Sequence, residues 1–69
     1  GVHYTISTDT NSWGTASAKC IIDGGTEYEV TGYNSDTDTV TGYMTVEVET
    51  STSISQSSGW AEAHASASW

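Results

Sequence analysis

The chain has 69 residues, nine carboxylates against the single basic residue Lys19, and a formal net charge of −8. That balance excludes ordinary nucleic-acid binding, which needs Lys and Arg to neutralise phosphates, and it disfavours adsorption to anionic membranes. The length suits one domain, and with no Leu and no Phe its core is poor enough that partner chains are expected to complete it.

Val2, Tyr4 and Ile6 alternate with His3, Thr5 and Ser7, which predicts a short first strand over residues 2–8. Asp9-Thr10-Asn11-Ser12 reads as a turn. Residues 13–22 form the second predicted strand, with Ala16, Ala18, Cys20 and Ile22 on its inner side. Asp23-Gly24-Gly25 is the strongest turn signal, because glycine supplies the positive φ that tight hairpins need. Residues 26–33 make the third strand, Tyr28 and Val30 facing in and Glu27, Glu29 and Thr31 facing out. Asn34-Ser35-Asp36-Thr37-Asp38 reads as a polar turn.

Residues 40–54 alternate without interruption, with Val40, Gly42, Met44, Val46, Val48, Thr50, Thr52 and Ile54 on one side. After a loop over residues 55–59, the segment 60–69 alternates again with Ala61, Ala63, Ala65 and Ala67 inward. These two ladders are expected to be the spine of the sheet. A helical alternative fails, because Thr, Ser, Val and Gly dominate and no 3.6-residue apolar stripe appears. The predicted fold is all-β: one domain over residues 1–69, with about five antiparallel strands in a meander curled into a small sandwich or open barrel.

Several residues are candidates for chemistry. Asn34, Asp36 and Asp38 set oxygen donors at alternate positions, as calcium loops do, although Thr39 and Thr45 stand where an EF-hand needs Gly and Glu. Calcium there is the one candidate cofactor, and a solvated turn is the plainer reading. Gly1-Val2-His3 fits the pattern that wraps Cu(II) or Ni(II) in a square of nitrogens, given a free amino terminus. Glu62 and His64 point the same way, with Glu47 and Glu49 expected across from them; a solvated outer face is the simplest account. No hydrolase elbow, phosphate loop or CxxC occurs, and an enzyme is not expected.

Cys20 is the only cysteine, so disulfides within the chain are excluded. It reads as a small buried hydrophobe, with an intermolecular crosslink as the alternative. Tyr43, Trp60 and Trp69 are the aromatics expected to form an exposed binding surface. The Ser/Thr-rich composition, a beginning at Gly1 that reads as processed, and the lack of any long apolar run predict a secreted or cell-surface protein without membrane insertion.

The tail Gly59-Trp60-Ala61-Glu62-Ala63 and Trp69 resemble parts of the lactococcin 972 family, secreted bacteriocins of similar length and β-rich fold. The likeness covers roughly a fifth of the chain. The family's aromatic and His-rich segment has no counterpart here, and its basic character is inverted. The resemblance implies a monomeric module acting on a cell-wall component.

The functional expectation that follows is a self-associating structural or adhesive module, such as a filament, surface-layer or oligomer subunit. Its first strand, with Tyr4 and Ile6, would be donated to a neighbour's groove, and Cys20 is counted with that contact. The alternative is a monomeric bacteriocin or glycan-binding module using Tyr43 and Trp60.

Overall fold

The computed structural model describes residues 1–69. Six strands follow in order: β1 (Val2–Thr10), β2 (Gly14–Ile22), β3 (Thr26–Thr31), β4 (Asn34–Val40), β5 (Val46–Ile54) and β6 (Ala61–Ser68). They form two three-stranded antiparallel sheets packed face to face, β4-β1-β6 and β3-β2-β5. The architecture is the small all-β sandwich predicted, with six strands in place of five. No helix is long and apolar enough to cross a membrane.

The connectivity is not a meander. Only the β2–β3 turn stays within one sheet; every other link crosses from one sheet to the other. Asp23 (φ 53°) and Gly24 (φ 70°) close that hairpin in the positive-φ geometry that matches strand twist. Gly32 (φ 72°) turns the chain out of its sheet towards β4, a conformation in which a Cβ is strained.

The segment Asn34-Asp38, expected as a turn, lies instead in β4, hydrogen-bonded along β1 with Asp36 opposite Ile6 and Asp38 opposite Tyr4. Asn and Asp are poor strand formers, but here their side chains fall at an open rim where water reaches them. The long ladder over residues 40–54 breaks at the 41–45 link. The spine is therefore β1 and β2, the middle strands, and the two predicted ladders are edge strands of opposite sheets.

The inward faces agree with the alternation. Val2, Tyr4 and Ile6 from β1 meet Ala18, Cys20 and Ile22 from β2 and Val30 from β3, all buried. Large Tyr4 and Ile6 of β1 share the core with small Ala18 and Cys20 of β2, and stacked sheets of this kind lie about 10 Å apart. The Tyr4 ring stacks on Tyr28 across the sandwich with centroids 4.9 Å apart. The accessible surface is 4304 Å², against about 4,200 Å² for a compact monomer of this mass. The total surface is thus that of a compact monomer, while only nine residues are buried and β5 is exposed along nearly its whole length.

Each end of the sandwich is stapled by one short polar side chain. At one end Asn11 Oδ1 accepts from the Trp13 and Trp60 amides (3.1 and 3.0 Å), and its Nδ2 donates to the Ser58 carbonyl (2.8 Å). At the other, Asp23 Oδ1 accepts from the Thr45 amide (2.8 Å). The first staple needs a close approach: a Cβ at Gly14 would run into the Trp60 carbonyl. Asn11→Ala removes three hydrogen bonds and is expected to cost about 2 kcal/mol in urea unfolding.

Thr8 is buried, between Asn34 and Ala63 of the neighbouring strands, and its hydroxyl finds no hydrogen-bond partner. An unpaired buried hydroxyl carries a desolvation cost. Thr8→Val keeps the shape and is expected to stabilise the fold by about 1 kcal/mol, raising Tm by about 4–8 °C in calorimetry.

Candidate functional site

The two outer faces of the sandwich are polar for the same reason that the inner ones are not: alternate residues of every strand point outward. On the β3-β2-β5 sheet, Lys19 faces Glu29 and Glu49 on its two neighbours, and Ile21 faces Glu27 and Glu47. Lys19 Nζ lies 3.5 Å from Glu27 and 3.9 Å from Glu29. This is a solvated charge cluster around the one available cation.

On the β4-β1-β6 sheet, the small outward residue of the middle strand is Ser7. Ser7 lies between Ser35 and His64, and Asp9 lies beside Glu62. Tyr33 enters from the β3–β4 link and stands 83% exposed. The result is a groove of about 460 Å³ whose lining includes Ser7, Asp9, Tyr33, Asn34, Glu62 and His64. His64 Nε2 sits 2.7 Å from Glu62 Oε1, so the two side chains fix one another at one wall. A second hollow of about 320 Å³ lies on the opposite sheet, lined by backbone and small side chains from Gly14 to Ser17 with Thr31, Gly32 and Ser51.

The residues singled out from sequence are dispersed. Asn34, Asp36 and Asp38 are alternate residues of an extended strand, each about 6.6 Å from the next. They do not converge as calcium ligands must, and no group of three or more His, Cys, Asp or Glu is placed to hold a metal. Asp36 has a different partner: the Tyr4 hydroxyl donates to its Oδ2 at 3.0 Å. Burial above all, then this hydrogen bond and the charges of Asp36 and Asp38, push the Tyr4 phenol well above its ordinary pKa.

Val2 and His3 lie within β1, paired with Val40 and Thr39, and His3 Nδ1 meets Thr39 Oγ1 at 3.1 Å. The first three residues are therefore extended and not wrapped for copper. Glu47 and Glu49 lie on the β3-β2-β5 sheet, and Glu62 and His64 on the other, so the four do not meet.

Tyr43 is fully exposed in the 41–45 link, and Trp69 is 73% exposed beside Ser68, which pairs with His3. Both lie at the end of the sandwich where β1 begins. Trp60 is at the other end, next to Ala61, which pairs with Thr10. Nine-residue strands separate the two ends by about 30 Å. The predicted aromatic surface is thus two separate patches.

Tyr4 and Ile6 are 1% and 0% exposed in the chain's own core, on the middle strand of a sheet. They are not side chains of a free donor strand. Cys20 is also fully buried, and burial raises its thiol pKa, so it is not placed to crosslink copies. Its thiol is expected to react with a disulfide reagent such as DTNB only at the rate of unfolding, about one equivalent appearing on addition of denaturant.

The groove residues Ser7, Asp9 and Tyr33 were not singled out from the sequence, and Asn34 was singled out only as a calcium ligand. The only local cue was Gly32-Tyr33 before a polar run, which exposes an aromatic at a corner. Comparison with protein-family models, curated proteins and solved structures finds no significant match to this chain. What defines it is its own geometry, a six-stranded sandwich with four free strand edges and one aromatic-lipped polar groove.

Proposed function

We propose that the chain is a non-catalytic, self-associating module of a secreted or cell-surface assembly, joining copies edge to edge along β5. The observation that supports this is an asymmetry between the two open sides of the sandwich. Exposed strand edges are templates for further pairing unless charges, Pro or bulges blunt them. On one side, β4 turns Asp36 and Asp38 inward at the rim and β3 carries Glu27 and Glu29. On the other, β5 carries Glu47 and Glu49 in its first half, but its second half, Thr50 to Ile54, has no charge and no Pro, and Val48 and Ile54 are 43% and 55% exposed.

A two-fold pairing of β5 centred on Thr50 uses the whole nine-residue strand. By the alternation of the sequence it sets Glu47 opposite Ser53 of the second copy and Glu49 opposite Ser51. No carboxylate then faces another directly, and Val46 meets Ile54. The product is a continuous six-stranded sheet, a closed dimer of the isologous kind. Filament growth would need a second contact on another edge.

Because each copy carries a net charge of −8, association is expected to strengthen as salt screens the repulsion. Sedimentation velocity from about 10 to 500 μM, at about 0.05 and 0.5 M salt, tests this. A dimer that grows with concentration and salt is expected. A monomer throughout overturns the proposal.

A further inference from the structure

The groove on the outer face of the β4-β1-β6 sheet is independent of any strand edge and stays open when copies pair through β5. We propose that it binds an uncharged pyranose residue of a glycan. Its volume, about 460 Å³, falls within the range of small-molecule sites. Its chemistry is that of a polyol acceptor. The Asp9 and Glu62 carboxylates accept from hydroxyls, the Ser7 hydroxyl both donates and accepts, Asn34 Oδ1 accepts from the Ser35 amide at 3.0 Å and leaves its Nδ2 to donate, and the His64 ring is held by Glu62 through Nε2. That hydrogen bond leaves His64 Nδ1 without a partner in the chain.

Tyr33 supplies the remaining element. It is a flat amphipathic ring, 83% exposed at the lip of the groove, where a large aromatic otherwise meets only water. An apolar sugar face laid on such a ring removes both from water, while the hydroxyls at the sugar's edge reach the polar floor. Other ligand classes fit worse. Two carboxylates oppose an anion, no metal-holding cluster is present, and the polar lining gives an apolar ligand little to bury. A cation is the nearest competitor, and the cationic control in the test below separates it from a neutral sugar.

The floor is built for shape as well as chemistry. Ser7 sits on the middle strand between Ser35 and His64, so a small side chain is flanked by a taller one on the β6 side. The groove therefore runs along β1, and a sugar ring entering from the Tyr33 end lies against Asp9 and Glu62. Binding of this kind is weak, with Kd on the order of 1 mM for a single site of modest area.

The test is amide NMR titration of the full chain with uncharged tetrasaccharides of glucose, mannose and N-acetylglucosamine, with glucosamine as the cationic control. At least one uncharged sugar is expected to produce saturable shifts at Tyr33, Asn34, Ser35, Glu62 and His64. Tyr33→Ala should weaken binding about tenfold or more, and Tyr33→Phe, which keeps the ring, should bind within about twofold of the parent. Tyr33 is too exposed for either change to threaten the fold. The proposal is overturned if no uncharged sugar gives saturable shifts up to about 20 mM. It also fails if shifts fall outside the groove, if glucosamine alone binds, or if Tyr33→Ala binds like the parent.

Discussion

Tyr4→Ala is expected to cost about 3–5 kcal/mol, the usual range for truncating a buried aromatic. A domain of this size has about 3–10 kcal/mol in total, so the variant should be largely unfolded at 25 °C in urea and circular-dichroism measurements. The physical reason is position. Tyr4 is 1% exposed, stacks on Tyr28, and is the largest fully buried side chain. Were the first strand donated to a neighbour, the loss would track assembly and protein concentration. In the structure it falls on the isolated chain, so the loss should be independent of concentration.

Tyr4→Phe separates packing from the hydroxyl. It gives up one hydrogen bond to Asp36, whose carboxylate is exposed and stays hydrated, so about 1 kcal/mol is expected. It should also change the alkaline limb of stability. The Tyr4 phenol and the Cys20 thiol both have raised pKa values in the fold. Stability from holding them neutral is fully present below their unfolded values, about 10 and 8.5, and is lost as pH rises through the raised ones. The parent is expected to lose stability steeply above about pH 9. Removing the phenol should flatten the part of that fall above about pH 10, and an unchanged slope would contradict the placement of Tyr4.

Ser51→Glu and Ser51→Lys are expected to move self-association in opposite directions. In the two-fold β5 pairing, residue 51 faces Glu49 of the other copy, twice per dimer. Opposite or like charges directly across a strand pair contribute about 0.2–1 kcal/mol each. Two such contacts give about a two- to thirtyfold change in the dimer constant, weaker for the glutamate and stronger for the lysine, and both shrink in high salt. Sedimentation equilibrium measures the constant directly. If both substitutions act in the same direction, the register is wrong; if neither acts, β5 is not the contact. Ser51 is exposed and carries no core load, so stability should shift by less than about 0.5 kcal/mol.

How residues face was readable before the structure, because side-chain direction in a strand depends only on the period of two. Val2, Tyr4 and Ile6 inward, Ala16 to Ile22 inward, Glu27 and Glu29 outward, and the alanine ladder inward all follow from it. Asp23-Gly24-Gly25 announced its hairpin through turn chemistry alone. The β4 strand escaped notice because local propensity spoke against it. Asn34, Asp36 and Asp38 are tolerated only because the strand lies at an edge whose inner rim is wet, and edge position is a tertiary fact.

The groove was illegible for a similar reason. Asp9, Tyr33 and Glu62 are distant in sequence and meet only because β4 and β6 both pair with β1. A two-residue link at Gly32-Tyr33 that leaves one sheet for the other looks, in sequence, like a strand end. The sequence by itself determined an all-β chain, the inner and outer face of nearly every strand, its acidity and its single thiol. Those are set by neighbours one to three residues apart, within reach of local sterics and hydrophobic periodicity. The tertiary structure alone decided which strands pair, and so which edge has an uncharged half, which residues line the groove and which aromatics share an end. Strand pairing is a choice among long-range contacts of similar local quality. The buried cluster that joins Tyr4 and Ile6 to Ala18 and Cys20 exists only with β1 and β2 facing each other across the sandwich.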